Sequence, residues 1–186
     1  MKKAFLFLFL ILAVVVSAGE KLPKYIILFI GDGMSYPQRM IAEEYSVKMG
    51  TGKLAMNHLP FHATTRTSSA NSIVTDSAAS GTAIACGAKT NNGMIGQTPD
   101  GAPAYSVAFD LKKEGWGIGI MSTVPVDHAT PASHYAHAEK RSNYYLIGTH
   151  LAESDFDFFG GGGAGSGFGQ HFGSGSFSGF EDIFDI

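Results

Sequence analysis

A continuous apolar run, Tyr25-Ile-Ile-Leu-Phe-Ile30, stops abruptly at Gly31-Asp32-Gly33, and no other feature limits so strongly what this chain can fold into. A run without polar alternation, rich in β-branched and aromatic side chains, predicts a strand covered on both faces, as in a parallel sheet. Ser35 followed by Pro37 predicts a helix start, carried on by Met40, Ile41, Glu43 and Glu44. Residues 46–72 are mixed, broken by Gly50, Gly52 and Pro60. Ser77 to Cys86 is alanine-rich and predicts a helix ending at Gly87. Tyr105 to Lys113 has helical spacing, and Gly115 to Met121 reads as a strand running into Ser122-Thr123. Pro131 opens another helix, expected through His137 to about Leu151, and Asp155 to Phe159 is a third strand candidate. The alternation predicts an α/β fold with a mainly parallel sheet flanked by helices. Such sheets bind ligands beyond the carboxyl ends of their strands, where Asp32 and the 122–130 loop would fall.

The two ends of the chain differ from its middle. Met1-Lys2-Lys3, an apolar stretch from Ala4 to Val16 and then Ser17-Ala18-Gly19 read as a signal peptide over 1–18, which makes the mature protein secreted or periplasmic. The rival reading, a membrane anchor, needs about 20 apolar residues, and this stretch is shorter. Cleavage would leave no stable membrane span. Residues 19–163 form the expected domain. From Gly160 to Gly179, 10 of 20 residues are glycine, with Ser and Phe supplying most of the rest, so 164–186 is expected to be a flexible tail. Without Lys2 and Lys3 the mature chain carries 11 Lys and Arg against 16 Asp and Glu, and no basic stripe invites nucleic acid. Cys86 is the one cysteine, so no internal disulfide can form, and its Ala/Gly-rich surroundings suit a small buried residue.

Two constellations carry chemistry. Asp32 sits between glycines just past an apolar run, where the backbone can turn tightly and a bulky group can approach the carboxylate. Such triplets also occur in ordinary turns. In Ile73-Val-Thr-Asp-Ser-Ala-Ala-Ser-Gly-Thr-Ala83, a hydroxyl opens a helix built from the smallest residues. Helix N–H groups and the helix dipole favour an anion there, either a phosphate or the alkoxide of Ser77. The plainer alternative makes Ser77 or Asp76 an N-cap.

Val74-Thr-Asp-Ser-Ala-Ala-Ser-Gly-Thr-Ala83 resembles the phosphoserine signature of alkaline phosphatases, and Phe29-Ile-Gly-Asp-Gly-Met34 resembles that family's first metal-binding turn. His128-Ala-Thr-Pro-Ala132, Tyr135-Ala-His137 and Arg141 follow at the family's spacing, with Thr90-Asn-Asn-Gly93 between the motifs. The resemblance covers about residues 24 to 163. It implies a three-layer sandwich, incomplete here, that hydrolyses phosphate monoesters through a phosphoserine. It makes Ser77 the nucleophile and Arg141 the group that grips phosphate oxygens. Asp32 would bridge a zinc site and the magnesium site, Thr130 would ligate magnesium, and His128 would stand beside the magnesium. Small phosphomonoesters are the implied substrates, zinc and magnesium the cofactors, and a homodimer the assembly. Zinc coordination lowers the pKa of a serine hydroxyl, and a guanidinium meets two phosphate oxygens at once.

The family takes most of its zinc ligands from sequence beyond this length, so the chain is expected to be a truncated or partial phosphatase of impaired activity. The remaining histidines do not replace those ligands. His58 and His62 are separated by Pro60, His134 and His137 share the predicted helix at i,i+3 spacing, and His150 and His171 stand apart. Two other classes compete: a non-catalytic secreted fragment that binds phosphate or metal, and a serine esterase, for which the Gly-x-Ser-x-Gly elbow is lacking.

Overall fold

The computed structural model describes residues 23–162, so the signal peptide and the 164–186 tail lie outside the described residues. These fall into two compact units, one ending at Tyr36 and one starting at Pro37.

In the first unit the expected buried strand is not formed. Residues 25–30 belong to no strand, and Phe29 is 88 % exposed. A strand is defined by its ladder partners, and an apolar run supplies the propensity for burial but not the partner. Gly31-Asp32-Gly33 does form a tight turn, closed by Met34 N–H donating to the Gly31 carbonyl at 3.1 Å, with Gly33 at φ 68°.

The second unit holds the remaining elements. Helix α1 spans Tyr36–Lys48, as the Ser35/Pro37 start predicted, and a short 3-10 turn follows at Ala55–His58. Helix α2, Ser77–Cys86, matches its predicted limits. Asp76 caps it by accepting the Ala79 N–H, and Gly87 closes it at φ 65° with its N–H on the Ala83 carbonyl. Helix α3 is Val107–Lys113. Strand β1 runs Gly119–Pro125, four residues later than expected. The delay arises because Gly115, at φ 84°, and Trp116 fold back to donate to the Lys112 and Leu111 carbonyls, which ends α3 before the chain can extend.

The single long helix expected from Pro131 to Leu151 is instead two. Helix α4 is only Ala129–Ala132, and α5 is Tyr144–Glu153, capped by Asn143 accepting the Leu146 N–H. Between them Ala138 exchanges both backbone hydrogen bonds with Ile95, each at 2.8 Å, and a helix cannot share those groups. His134 and His137 therefore lie outside any helix. Strand β2, Phe158–Gly162, begins later than predicted and pairs parallel with β1, Gly119 opposite Phe158. Asp155, at φ 57°, sits in the turn before it. The first glycines of the glycine-rich stretch are thus strand residues. A Cβ on Gly161 would strike Val126 at 2.7 Å, so the composition there serves close packing.

The parallel pair with intervening helices bears out the α/β class, and the sheet among the described residues is two-stranded. The core is Ala78, Ile95, Ala129, Ala132, Tyr135, Ala136, Ala138 and Ile147. Its many alanines let α2 and α4 approach closely. At Gly81 a Cβ would lie 2.5 Å from the Ser133 hydroxyl and 3.6 Å from the Thr130 Cα. Buried Thr82 ties α2 to the next segment, donating to Ala78 and accepting the Gly96 N–H at 2.9 Å. Cys86 is half-buried, and burial pushes its thiol up to about 11, which fits a packing role.

Two glycine substitutions separate conformational from packing cost. Gly87→Ala meets open space and should cost about 1–2 kcal/mol for its left-handed backbone. Gly96→Ala shares that cost and also places its methyl on the Ala136 carbonyl oxygen, so it should cost roughly 3 kcal/mol or more. Urea denaturation midpoints check the order.

Candidate active site

Ser77 is the first residue of α2, at the end of the helix where free N–H groups gather. The residue before it organises the surroundings. The Asp76 carboxylate accepts Ala79 N–H at 2.9 Å through Oδ1, and through Oδ2 it accepts Gly93 N–H at 3.0 Å and the Arg141 guanidinium at 3.1 Å. Arg141 is anchored a second time, its backbone N–H donating to the Gly93 carbonyl at 2.7 Å. A helix N-terminus and a guanidinium are therefore held on one carboxylate adjoining Ser77. That pairing can receive a tetrahedral anion, the guanidinium offering further N–H donors and the helix its dipole.

The family model for alkaline phosphatase matches residues 23–154. The chain belongs to the alkaline phosphatase family. Alkaline phosphatase of Gadus morhua is 37 % identical over 134 residues, 64 % of this chain and 28 % of that protein. The repressible alkaline phosphatase of Saccharomyces cerevisiae is 35 % identical over 144 residues, 72 % of this chain and 24 % of that one. Among solved structures, alkaline phosphatase from the Antarctic bacterium TAB5 superposes with a TM-score of 0.65 at 35 % identity, covering 71 % of this chain and 37 % of that one. The Thermus thermophilus enzyme gives 0.62 at 32 % identity, over 67 % and 27 % of the two chains. The chain thus spans about a quarter of the length of these curated relatives.

Thr130 lies in α4, whose backbone abuts Gly81 of the helix that Ser77 opens, so the packing brings Thr130 to that helix. His128 precedes α4 as its N-cap residue, and its Nδ1 is buried without a hydrogen-bond partner among the described residues. Asp32 occupies the exposed turn of the first unit. Among the described residues no group of three or more His, Cys, Asp and Glu side chains gathers to hold a metal. These residues do not form a complete zinc shell.

One ring nitrogen of each of His134, His137 and His150 is engaged within the fold, while His137 Nε2 is buried without a hydrogen-bond partner among the described residues. His134 Nδ1 contacts the Thr130 carbonyl at 3.3 Å. His137 Nδ1 donates to the Gly96 carbonyl at 2.5 Å, and its ring meets Tyr105 edge-on and stacks on Phe109. His150 accepts the His137 N–H at 3.2 Å. Burial depresses the His134 imidazole below its ordinary value; burial, then the neighbouring His137, does the same for His150. The sequence reading missed Asp76 as the partner of Arg141, weighing it only as a cap. The signal was a carboxylate directly before Ser77 with an arginine far downstream, and only the fold could join them.

Asp76→Asn keeps an oxygen for the cap but loses the charge pair and the acceptor for Gly93 N–H, so it should cost about 1–2 kcal/mol. Asp76→Ala loses the cap as well and should cost about 1–3 kcal/mol, both read from urea unfolding. A depressed histidine binds protons more readily when unfolded, so stability should fall as pH drops from the ordinary histidine range through the folded value. Unfolding free energies between pH 7 and pH 5 should show that fall, with a shallower slope in His134→Gln.

Proposed function

We infer that this chain carries the phosphoryl-handling side of a phosphomonoesterase site, with Ser77 as nucleophile and Arg141 as the clamp on the non-bridging oxygens. The observation that carries the reading is the Asp76 carboxylate, which fixes Arg141 against the residue that precedes Ser77. In the proposed reaction the Ser77 oxygen bonds to phosphorus as the ester oxygen leaves with its alcohol. Water then attacks the phosphoserine, releases inorganic phosphate and restores the hydroxyl. Holding the phosphoryl group between a guanidinium and helix N–H donors orients it and favours its charge.

Zinc and magnesium belong to this reading through Asp32 and Thr130, with His128 beside the magnesium. A solved mutant of the TAB5 enzyme with magnesium bound supports the magnesium part. The described residues gather no complete shell, and the chain's own turnover should be weak. The substrates are small phosphomonoesters, the assembly a homodimer and the location secreted or periplasmic. No helix among the described residues is long and apolar enough to cross a membrane. A phosphate-binding protein without turnover is the second reading, favoured by the same incomplete shell.

Hydrolysis of p-nitrophenyl phosphate by the purified chain, with zinc and magnesium supplied, tests this. Turnover should be far below a typical enzyme's ~10 s⁻¹ and should vanish in Ser77→Ala and on chelation. Robust metal-dependent turnover would overturn the impaired reading, and turnover that survives chelation would point to a serine esterase.

A further inference from the structure

The turn Thr90-Asn91-Asn92-Gly93 has no part in the proposed reaction. Its backbone closes with Met94 N–H on the Asn91 carbonyl at 3.1 Å, and Gly93 takes φ 88°. The Asn92 carboxamide reaches back to the segment that leads into α2. Its Oδ1 accepts the Asp76 N–H at 3.1 Å, and its Nδ2 donates to the Val74 carbonyl at 2.9 Å. The opposite amide orientation would set like against like at both contacts, so the network fixes the side chain's sense. One side chain thus satisfies two backbone groups, as a neighbouring strand would, on the residues just before Ser77.

The turn is itself tied down and connected onward. Asn92 N–H donates to Asn71 Oδ1 at 2.9 Å. Gly93 donates its N–H to the Asp76 carboxylate and accepts the Arg141 N–H. Two consecutive residues therefore hold the Ser77 approach, the Asp76 carboxylate and the Arg141 backbone. Asn92 is exposed, so water could serve both of its partners, and the fold does not need these bonds to avoid buried unpaired groups. What the bonds add is a fixed geometry.

We propose that Asn92 is a positioning residue that locks the backbone delivering Ser77 in register with Arg141. This rests on the reading of Ser77 and Arg141 as phosphate-handling groups, and it predicts a local change when the carboxamide is removed. Asn92→Ala removes both bonds; Asn92→Asp keeps an acceptor for Asp76 N–H but cannot donate to Val74.

The test combines amide hydrogen exchange with inorganic phosphate titration on the full chain. In Asn92→Ala the Asp76 amide exchange should rise roughly tenfold, and in Asn92→Asp, which keeps that acceptor, by less, while Ile95 and Ala138 amides keep wild-type protection. The phosphate dissociation constant should rise about fivefold. Asn92→Gln, which retains both groups on a longer stem, should recover part of each effect. Unchanged exchange at Asp76, or loss of protection spread equally to Ile95 and Ala138, would overturn the proposal. So would unchanged phosphate affinity in variants whose Asp76 exchange has risen. If the wild-type chain fails to bind phosphate, the functional reading falls, and with it the positioning role, whereas failure of Asn92 alone leaves that reading intact.

Discussion

The local order of the site depends on one carboxylate. The Asp76 carboxylate accepts three hydrogen bonds: from the first turn of the helix that Ser77 opens, from the Gly93 turn and from Arg141. None is large alone, since a cap contributes about 1 kcal/mol and a partly exposed ion pair rather less. Their value lies in sharing an atom group. Because the helix start, the turn and the guanidinium meet at one residue, their relative placement is fixed without a large hydrophobic contact at that point.

That arrangement needs the helix to be close to its neighbours, and small residues make it so. Ala78, Ala79 and Gly81 on one side and Ala129 and Ala132 on the other leave no bulk at the crossing of α2 and α4. The larger core residues stand around this contact. Tyr135 is anchored by its hydroxyl on the Val126 carbonyl at 2.6 Å and packs edge-on to Phe159 of β2. Burial, then the Asp127 carboxylate, raises its phenol well above the ordinary value, so it serves as a neutral donor. The Tyr135 ring thereby links β2 to the core cluster that holds Ala78 of α2 and Ala129 and Ala132 of α4.

Local signals carried some of this and not the rest. The α2 helix was legible because its alanines, its cap and Gly87 are all within one segment and agree. The parallel α/β class was legible from alternation. The 131–151 helix was misread because the groups that break it, Ile95 and Ala138, meet over a sequence separation that no periodicity reports. The 25–30 run was misread because apolar character specifies burial but not the partner that provides it. In the candidate site, the motifs drew attention to Ser77, Thr130 and Arg141 one by one, whereas the Asp76 link to Arg141 across 65 residues is a product of the fold.

The central claim is that Ser77 and Arg141 form one anion site. It is tested most directly by recording backbone and arginine side-chain NMR shifts during titration with inorganic phosphate. Saturable shifts at the Ser77, Ala78 and Ala79 amides together with the Arg141 guanidinium, all lost in Arg141→Ala, are the predicted result. Shifts confined to either group alone, or none that saturate, would contradict it.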